Sequence, residues 1–226
     1  MTAFVSAAPA SISRPHASSL LRWAGSKRAL LPRLSELAGA NIDEYVEPFC
    51  GSAALFFSLE PKSAFLYDLN PNLIQALTAI KHCHDRVFEA FQALEGTKKE
   101  YYAIRDRYNH EKMSDIEAAS TFIYLNRYGF NGLWRTNLDG YFNVPFGGAS
   151  ARPPGKEFFN RCAITLGRAQ LDALDFRESL PRHRGSKVTV FADPPDSTSS
   201  RRIFQEYGPT VFPKSCFEAL TSEWLA

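Results

Sequence analysis

The chain has 226 residues, 45% of them hydrophobic and 22% charged, which is the composition of a globular protein with one sizeable core. No apolar run approaches the roughly 18 residues of a membrane span, so the sequence excludes the transmembrane class. The four cysteines are scattered, without zinc-site spacing or the density of a disulfide scaffold, and we therefore expect a reducing, cytoplasmic setting.

The net charge of +2 identifies no partner, but the basic residues are unevenly distributed. Residues 1–35 contain five basic and no acidic side chains, and residues 126–161 contain five basic and two acidic ones. Phosphate groups could bind at either stretch. A solvated surface has the same pattern, and on charge alone it is the better interpretation.

Residues 1–19 are rich in Ala, Ser and Pro and lack the apolar run of a secretory signal. We predict a disordered tail there. An organellar transit peptide has a similar composition and stays an alternative.

Patterns of strand and helix then alternate along the chain. The predicted elements are a loop at 22–26, a helix at 30–37, a strand at 44–49, a helix at 55–59, a strand at 64–67 and a helix at 73–80. Repeated strand–turn–helix units predict a parallel sheet and an α/β fold.

The pattern changes twice in the second half of the chain. Residues 86–127 have a mixed helical pattern, and residues 129–148 are rich in aromatics, Asn and Gly. Within the latter, a turn at 137–140 separates runs at 133–136 and 141–144, which predicts a β-hairpin. Three further elements are predicted to return the chain to the sheet: strands at 163–166 and 188–192, and a helix from Lys214.

Three short segments carry candidate chemistry. Residues 45–54 place a Gly-containing loop between a strand and a helix, where the backbone can approach a ligand. Asp68 follows the next strand, where nucleotide-binding sheets use an acid to accept from ribose hydroxyls. In Asp193-Pro194-Pro195 the prolines remove backbone donors, so oxygens remain as acceptors for an amino group. Taken singly, each segment could equally be an ordinary tight turn.

Six segments occur together in one order, at 22–27, 46–52, 68–70, 126–135, 142–147 and 193–195. Together they resemble the Dam family of AdoMet-dependent DNA adenine methyltransferases, and the segment ending in Asn-Val-Pro-Phe-Gly is the most specific. The resemblance covers about residue 20 to the C-terminus. It implies a Rossmann-like AdoMet-methyltransferase sheet with a helical and β-hairpin DNA-recognition insertion. The implied domains are a catalytic domain at 20–72 and 161–226 and the insertion at 73–160.

The resemblance also implies the cofactor and catalytic residues. Asp193, Pro194 and Pro195 would form the catalytic motif, in which Asp193 and Pro194 hold the target amino group. Lys27 would lie near the carboxylate of AdoMet, and no metal is expected. The implied AdoMet-binding residues are Trp23, Lys27, Phe49, Gly51, Asp68, Asp175, Phe176 and Asp193.

In the hairpin, the resemblance implies that Arg135 reads a guanine by a bidentate contact and that Pro145 touches a thymine methyl. Phe130 and Asn131 would wedge into the duplex as the adenine flips out. The implied substrate is double-stranded DNA with a GATC-like site. We accordingly expect a nucleoid-associated monomer, with a restriction enzyme as one candidate partner.

Two departures from the family pattern bear on activity. Asp196 stands where the family has an aromatic residue, usually Tyr, and base–aromatic stacking is worth about 1–3 kcal/mol. The family also continues past Ala226 with strands that would cover residues 188–191, so we expect an incomplete catalytic domain. A catalytically inactive DNA-binding or regulatory homologue is the main alternative. Methylation of RNA or protein amides is a third, which the hairpin disfavours.

Overall fold

The computed structural model describes residues 19–39, 41–148, 154–183 and 187–194. Nearly all of the predicted tail, the predicted helix from Lys214 and the motif residues Pro195 and Asp196 lie outside these ranges. Within them, no helix is long and apolar enough to cross a membrane. The same ranges contain no group of three or more His, Cys, Asp or Glu placed to hold a metal ion.

The described fold is centred on a four-stranded parallel sheet with the order β3-β2-β1-β4. The strands are β1 (Glu44–Glu47), β2 (Ala64–Tyr67), β3 (Ala169–Asp172) and β4 (Val188–Val190). Tyr45 of β1 pairs with Ala64 on one side and with Thr189 on the other. The predicted parallel sheet is confirmed. Strand β1 ends before residue 49 because Pro48 has no N–H to continue the ladder.

Seven helices belong to the described fold: α1 (Leu31–Ala38), α2 (Ala54–Leu59), α3 (Pro71–Gln92), α4 (Lys98–His110), α5 (Asp115–Tyr128), α6 (Lys156–Leu166) and α7 (Phe176–Ser179). The mixed pattern at 86–127 is the end of α3, all of α4 and most of α5. The breaks fall where Thr97 and Ser114 cap the next helix with their side chains.

The predicted strand at 163–166 is wrong, because these residues form the last turn of α6. Cys162 and Leu166 are buried whereas Ile164 is 69% exposed, and this spacing is that of a helix. A window of four residues is too short to show the helical period. The third strand begins later, at Ala169.

One continuous core joins the sheet, the helices and the predicted insertion. Phe56 of α2, Leu73 of α3 and Trp134 belong to the same buried cluster. A smaller cluster contains Val46 and Tyr67. These two residues directly follow Tyr45 and Leu66 of the first cluster along their strands, so their side chains point to the other face of the sheet. The division into catalytic domain and insertion stays a prediction.

Residues 129–147, called the hairpin below, form the predicted turn without continuous strands. Their arms are joined by two isolated antiparallel bridges, Gly129 to Phe146 and Thr136 to Phe142. Trp134 is 5% exposed, and its ring lies 3.8 Å from that of Phe122 on α5. Aromatic packing against α5 therefore supports the hairpin in addition to the hydrogen bonds between its arms.

Candidate active site and nucleic-acid interface

Four loops meet at one edge of the sheet. Each follows the carboxyl end of a parallel strand, and this edge is where open α/β sheets bind ligands. The loops carry, in chain order, Phe49 to Gly51, Asp68, Asp175 with Phe176, and Asp193 with Pro194. Residues 22–27 lie against the same edge, through Trp23 and Lys27. The structure thus gathers the described residues that were assigned to AdoMet and to catalysis.

The loop after β1, residues 48–53, is called the glycine loop below because it depends on glycine at residue 51. Gly51 has a φ of +47°, and a Cβ added there would lie 2.7 Å from Cδ1 and 2.9 Å from Nε1 of Trp23. Residues with a Cβ rarely adopt positive φ, and the indole leaves no room for a methyl group. Ala53 has a φ of 51° at the start of α2. Backbone strain of this kind clusters at ligand-binding loops.

Asp68 fastens this loop to the end of β2. Its Oδ2 accepts from the Gly51 N–H at 3.0 Å, and its Oδ1 accepts from the Asn70 N–H at 2.9 Å. Burial raises the pKa of Asp68, and the two backbone donors oppose that rise. Each carboxylate oxygen has two lone pairs, so the same group can also accept from hydroxyls of a ligand.

Lys27 and Asp193 form an ion pair across 166 residues of sequence. The Lys27 ammonium donates to both carboxylate oxygens at 2.8 Å and to the Gly25 carbonyl at 3.0 Å. The two side chains are 40% and 31% exposed. The pair connects the N-terminal loop with the loop after β4 and remains accessible to a substrate.

Two aromatic rings lie beside this edge. The ring centroids of Phe49 and Phe176 are 5.4 Å apart. Asp175 caps the helix that Phe176 begins, because its Oδ1 accepts from the Arg177 N–H at 2.8 Å. Hydrogen bonds from the Arg177 side chain lower the pKa of Asp175. These contacts fix the orientation of the Asp175-Phe176 pair.

Glu47, to which sequence reasoning gave no role, is a buried carboxyl group at the end of β1. It is 2% exposed, and its Oε1 accepts from the Tyr45 hydroxyl at 2.6 Å and from the Phe56 N–H at 3.0 Å. Burial raises the pKa of Glu47 to about 8, and the charge of Asp193 adds to the rise. The sequence did contain a signal for Glu47, namely a charged residue inside a predicted strand. Charged residues are seldom fully buried unless they are paired, so such a position indicates a specific partner.

Asn126 of α5 is a second residue that sequence reasoning missed. It is fully buried, at 0% exposure. Its Oδ1 accepts from the Arg22 N–H at 2.8 Å, and its Nδ2 donates to the carbonyls of Arg22 at 2.6 Å and Gly132 at 3.2 Å. Arg22 also lies against Gly132 of the hairpin, and its neighbour Trp23 packs on Gly51. The signal was a polar residue in an apolar helical run.

The hairpin exposes the residues that were predicted to enter DNA. Phe130 is 49% exposed, and Asn131 and Pro145 are also exposed. The Phe130 N–H donates to the Pro145 carbonyl at 2.9 Å, so the three residues form one surface. Arg135 is partly buried, and its Nε donates to Oδ1 of Asn143 at 2.8 Å.

A family model for the D12 class N6 adenine-specific DNA methyltransferases matches residues 23–219. This range contains the glycine loop, Asp68, the hairpin and Asp193. The chain belongs to this D12 class. The resemblance seen in the six sequence segments is thereby confirmed, as is the enzyme class of DNA adenine methyltransferases.

Proteins similar to this chain are named as methyltransferases or DNA adenine methylases. A Type II methyltransferase of Lactococcus lactis subsp. cremoris is 30% identical over 217 residues, covering 89% of this chain and 76% of the relative. The Retron Ec67 DNA adenine methylase of Escherichia coli is 35% identical over 189 residues, covering 81% of this chain and 65% of the relative. A DNA adenine methylase of Salmonella typhi is 35% identical over 181 residues, covering 77% of this chain and 63% of the relative. The chain thus spans between 63% and 76% of the length of these relatives.

Membership of the D12 class agrees with the parallel α/β sheet and with the position of the candidate site at its carboxyl edge. Methyl transfer to DNA adenine is the chemistry of the class.

Proposed function

We propose that this D12-class protein transfers the methyl group of AdoMet to N6 of an adenine in duplex DNA, at a GATC-like site. The observation that carries the proposal is the meeting of Gly51, Asp68 and the Lys27–Asp193 pair at one sheet edge. An ordinary strand–helix turn needs neither a glycine beneath an indole nor an ion pair beside a buried acid.

The described residues fit AdoMet. The Trp23 indole packs where a Cβ of residue 51 would stand, Gly51 would let the methionine portion approach the backbone beside that indole, and Asp68 keeps acceptor capacity for the ribose hydroxyls. When bound, AdoMet supplies an electrophilic methyl group. The residues that would hold it are Trp23, Lys27, Phe49, Gly51, Asp68, Asp175, Phe176 and Asp193.

Asp193 and Pro194 would activate the target amino group. N6 of adenine is a poor nucleophile because its lone pair is delocalised into the ring. The Asp193 carboxylate and the Pro194 carbonyl accept from its two hydrogens and localise the lone pair towards the methyl group. Lys27 orients the carboxylate. N6 would bond to the methyl carbon as the bond between that carbon and the cofactor's sulfur breaks, with the electron pair remaining on sulfur. The Asp193 carboxylate, which is 31% exposed, would stabilise the positive charge on N6 until N6 gives one proton to solvent.

The hairpin would read the DNA. Arg135 presents a guanidinium for O6 and N7 of guanine, and Pro145 offers an apolar surface to a thymine methyl. Phe130 and Asn131 would occupy the space that the flipped adenine leaves. The two basic stretches provide contacts for phosphates.

Transfer of tritium from labelled AdoMet to a GATC-containing duplex tests this function. We expect the full chain to incorporate tritium at a reduced rate, because Asp196 stands where the family has a stacking aromatic. Asp193→Asn should lower incorporation by about a further hundredfold, because an amide has one acceptor oxygen where the carboxylate has two. A duplex already methylated at N6 is the control. No incorporation, together with no heat of AdoMet binding in calorimetry, would refute the proposal.

DNA binding without turnover is the second candidate, favoured by Asp196 in the place of the family's stacking aromatic. The Asp196→Tyr variant separates the two. If missing stacking limits activity, the substitution should raise transfer about ten- to a hundredfold. For a DNA-binding homologue, transfer stays at background while duplex binding persists.

A further inference from the structure

Helix α4 carries a stripe of polar side chains that bonds to the second arm of the hairpin. Tyr101, Arg105 and Asn109 are spaced by four residues and therefore share one face of the helix. All three bond to the main chain of residues 142–144. These three residues are called the α4 stripe below.

Two members of the stripe converge on one carbonyl. The Tyr101 hydroxyl donates to the Val144 carbonyl at 3.0 Å, and Arg105 Nη1 donates to the same oxygen at 3.1 Å. Tyr101 is 0% exposed, so its hydroxyl needs a partner inside the protein. The Val144 carbonyl is thus fixed by two donors of different helical turns.

The third member, Asn109, bonds twice to Phe142. Its Nδ2 donates to the Phe142 carbonyl at 3.0 Å, and its Oδ1 accepts from the Phe142 N–H at 2.9 Å. A neighbouring β-strand residue would offer the same donor and acceptor pair. The amide of Asn109 therefore substitutes for a strand partner, which explains how this arm is held although the hairpin has only isolated bridges.

The arm held in this way carries Asn143, which contacts Arg135 twice. The Asn143 N–H donates to the Arg135 carbonyl at 3.1 Å, and Asn143 Oδ1 accepts from Arg135 Nε at 2.8 Å. The guanidinium is planar, so a contact at Nε sets the plane in which its terminal nitrogens lie. Bidentate guanine contacts depend on that plane.

We propose that Tyr101, Arg105 and Asn109 are positioning residues for base discrimination, acting through Asn143 on Arg135. The inference rests on the proposed function, because it takes Arg135 as the residue that reads a guanine. It gives α4 a part in sequence specificity that needs no contact between the α4 stripe and a base.

The test measures affinities of the full chain by fluorescence anisotropy for three duplexes: the GATC site, the same site with its guanine pairs replaced, and a random sequence. The central variant is Arg105→Gln, and its matched control is Arg107→Gln. Both remove one charge from α4, but Arg107 pairs with Glu111 at the surface at 3.2 Å. Asn109→Ala, Asn109→Asp and Arg135→Ala complete the set.

We expect Arg105→Gln and Asn109→Ala to reduce the affinity ratio between the GATC and substituted duplexes by about two- to tenfold, the size of one lost hydrogen bond. Arg107→Gln should keep the wild-type ratio and weaken random binding as much as Arg105→Gln does. Asn109→Asp keeps the acceptor for the Phe142 N–H and loses the donor, so it should give an intermediate ratio. If Asn109→Ala does not fold, Asn109→Asp and Arg105→Gln carry the test.

Two results would overturn separate statements. A wild-type ratio in the folded Arg105 and Asn109 variants, with a reduced ratio in Arg135→Ala, would refute the positioning role and leave the proposed function intact. The absence of any preference in the unmodified chain, unchanged in Arg135→Ala, would refute the site specificity in the proposed function itself.

Discussion

Side chains that bond to the backbone hold both the sheet edge and the hairpin. At the sheet edge these side chains belong to the edge itself, whereas at the hairpin they belong to helices that precede it in the chain. At the sheet edge, Glu47 and Asp68 accept from amides of the adjoining loop and helix, in a turn with positive φ. The hairpin has two isolated bridges, and its main chain also bonds to side chains of α4 and to Asn126 of α5.

This difference predicts how each region fails. The sheet edge is one strained backbone unit, so a single change there should disturb AdoMet binding as a whole. The hairpin is supported by several separate side chains, so most changes there should alter DNA discrimination step by step. We therefore expect variants to alter chemistry and specificity separately, except where one residue anchors the entire hairpin.

That exception is Trp134, and its replacement should have the largest effect. Trp134 is 5% exposed, with ring centroids 3.8 Å from Phe122 and 4.5 Å from Phe142. We expect Trp134→Ala to lower the free energy of unfolding by about 3–5 kcal/mol in urea titrations. Leu138→Ala, at a residue 88% exposed in the turn, should change it by less than about 0.5 kcal/mol. Similar values for both would show that the hairpin is not anchored through its indole.

The second prediction concerns the sheet edge, and it compares the pH dependence of the unfolding free energy in the unmodified chain and in Glu47→Gln. The pKa of Glu47 is about 8 in the folded protein, above the roughly 4.3 of an unfolded glutamate. The folded state therefore binds the proton more tightly, and this stabilisation is complete below about pH 4 and lost as the pH rises through about 8.

Between about pH 5 and 8, the unmodified chain should accordingly lose on the order of 2–4 kcal/mol of unfolding free energy relative to Glu47→Gln. Urea titrations at both pH values measure the difference. Glu36→Gln, at an exposed surface ion pair, is the control and should follow the unmodified chain. A gap between wild type and Glu47→Gln that does not change with pH would show that Glu47 has an ordinary pKa.

The smallest expected effect compares one glycine from each region. Gly51 and Gly140 have φ values of +47° and +84°, so alanine costs about 1–2 kcal/mol of backbone strain at either position. A Cβ at Gly140 meets nothing within 4 Å, whereas one at Gly51 meets Trp23. Only Gly51→Ala should therefore also weaken AdoMet binding in calorimetry. Unchanged AdoMet affinity in both variants would place Trp23 outside the cofactor site.

The sheet edge was largely predictable from sequence, because its elements have local signals. Strand–turn–helix periodicity predicted β1 and β2, and the motif resemblance predicted which loop residues would gather beyond them. Strand β3 was misplaced because Ala169–Asp172 contains no β-branched or aromatic residue, so it has little of the composition of a strand.

The contacts that support the hairpin were not predictable in this way. Asn126 bonds to Arg22 across 104 residues, and Asn109 bonds to Phe142 across 33. Hydrogen bonds from a side chain to distant backbone leave no periodic signal in the sequence. The ion pair of Lys27 with Asp193 was also not predicted. Both residues lie in recognisable motifs, but the motifs do not show that the two side chains meet in the folded protein.

The parallel pairing of β4 with β1 also has a consequence for synthesis on the ribosome. At about 5–20 residues per second, the ribosome needs roughly 7–30 s to add the 144 residues that separate Val46 of β1 from its partner Val190 of β4. Throughout that interval β1 has one side without its native neighbour, and its unpaired N–H and C=O groups can pair with another nascent chain. The strand that brings Asp193 to Lys27 therefore also ends the period in which β1 is open to intermolecular pairing.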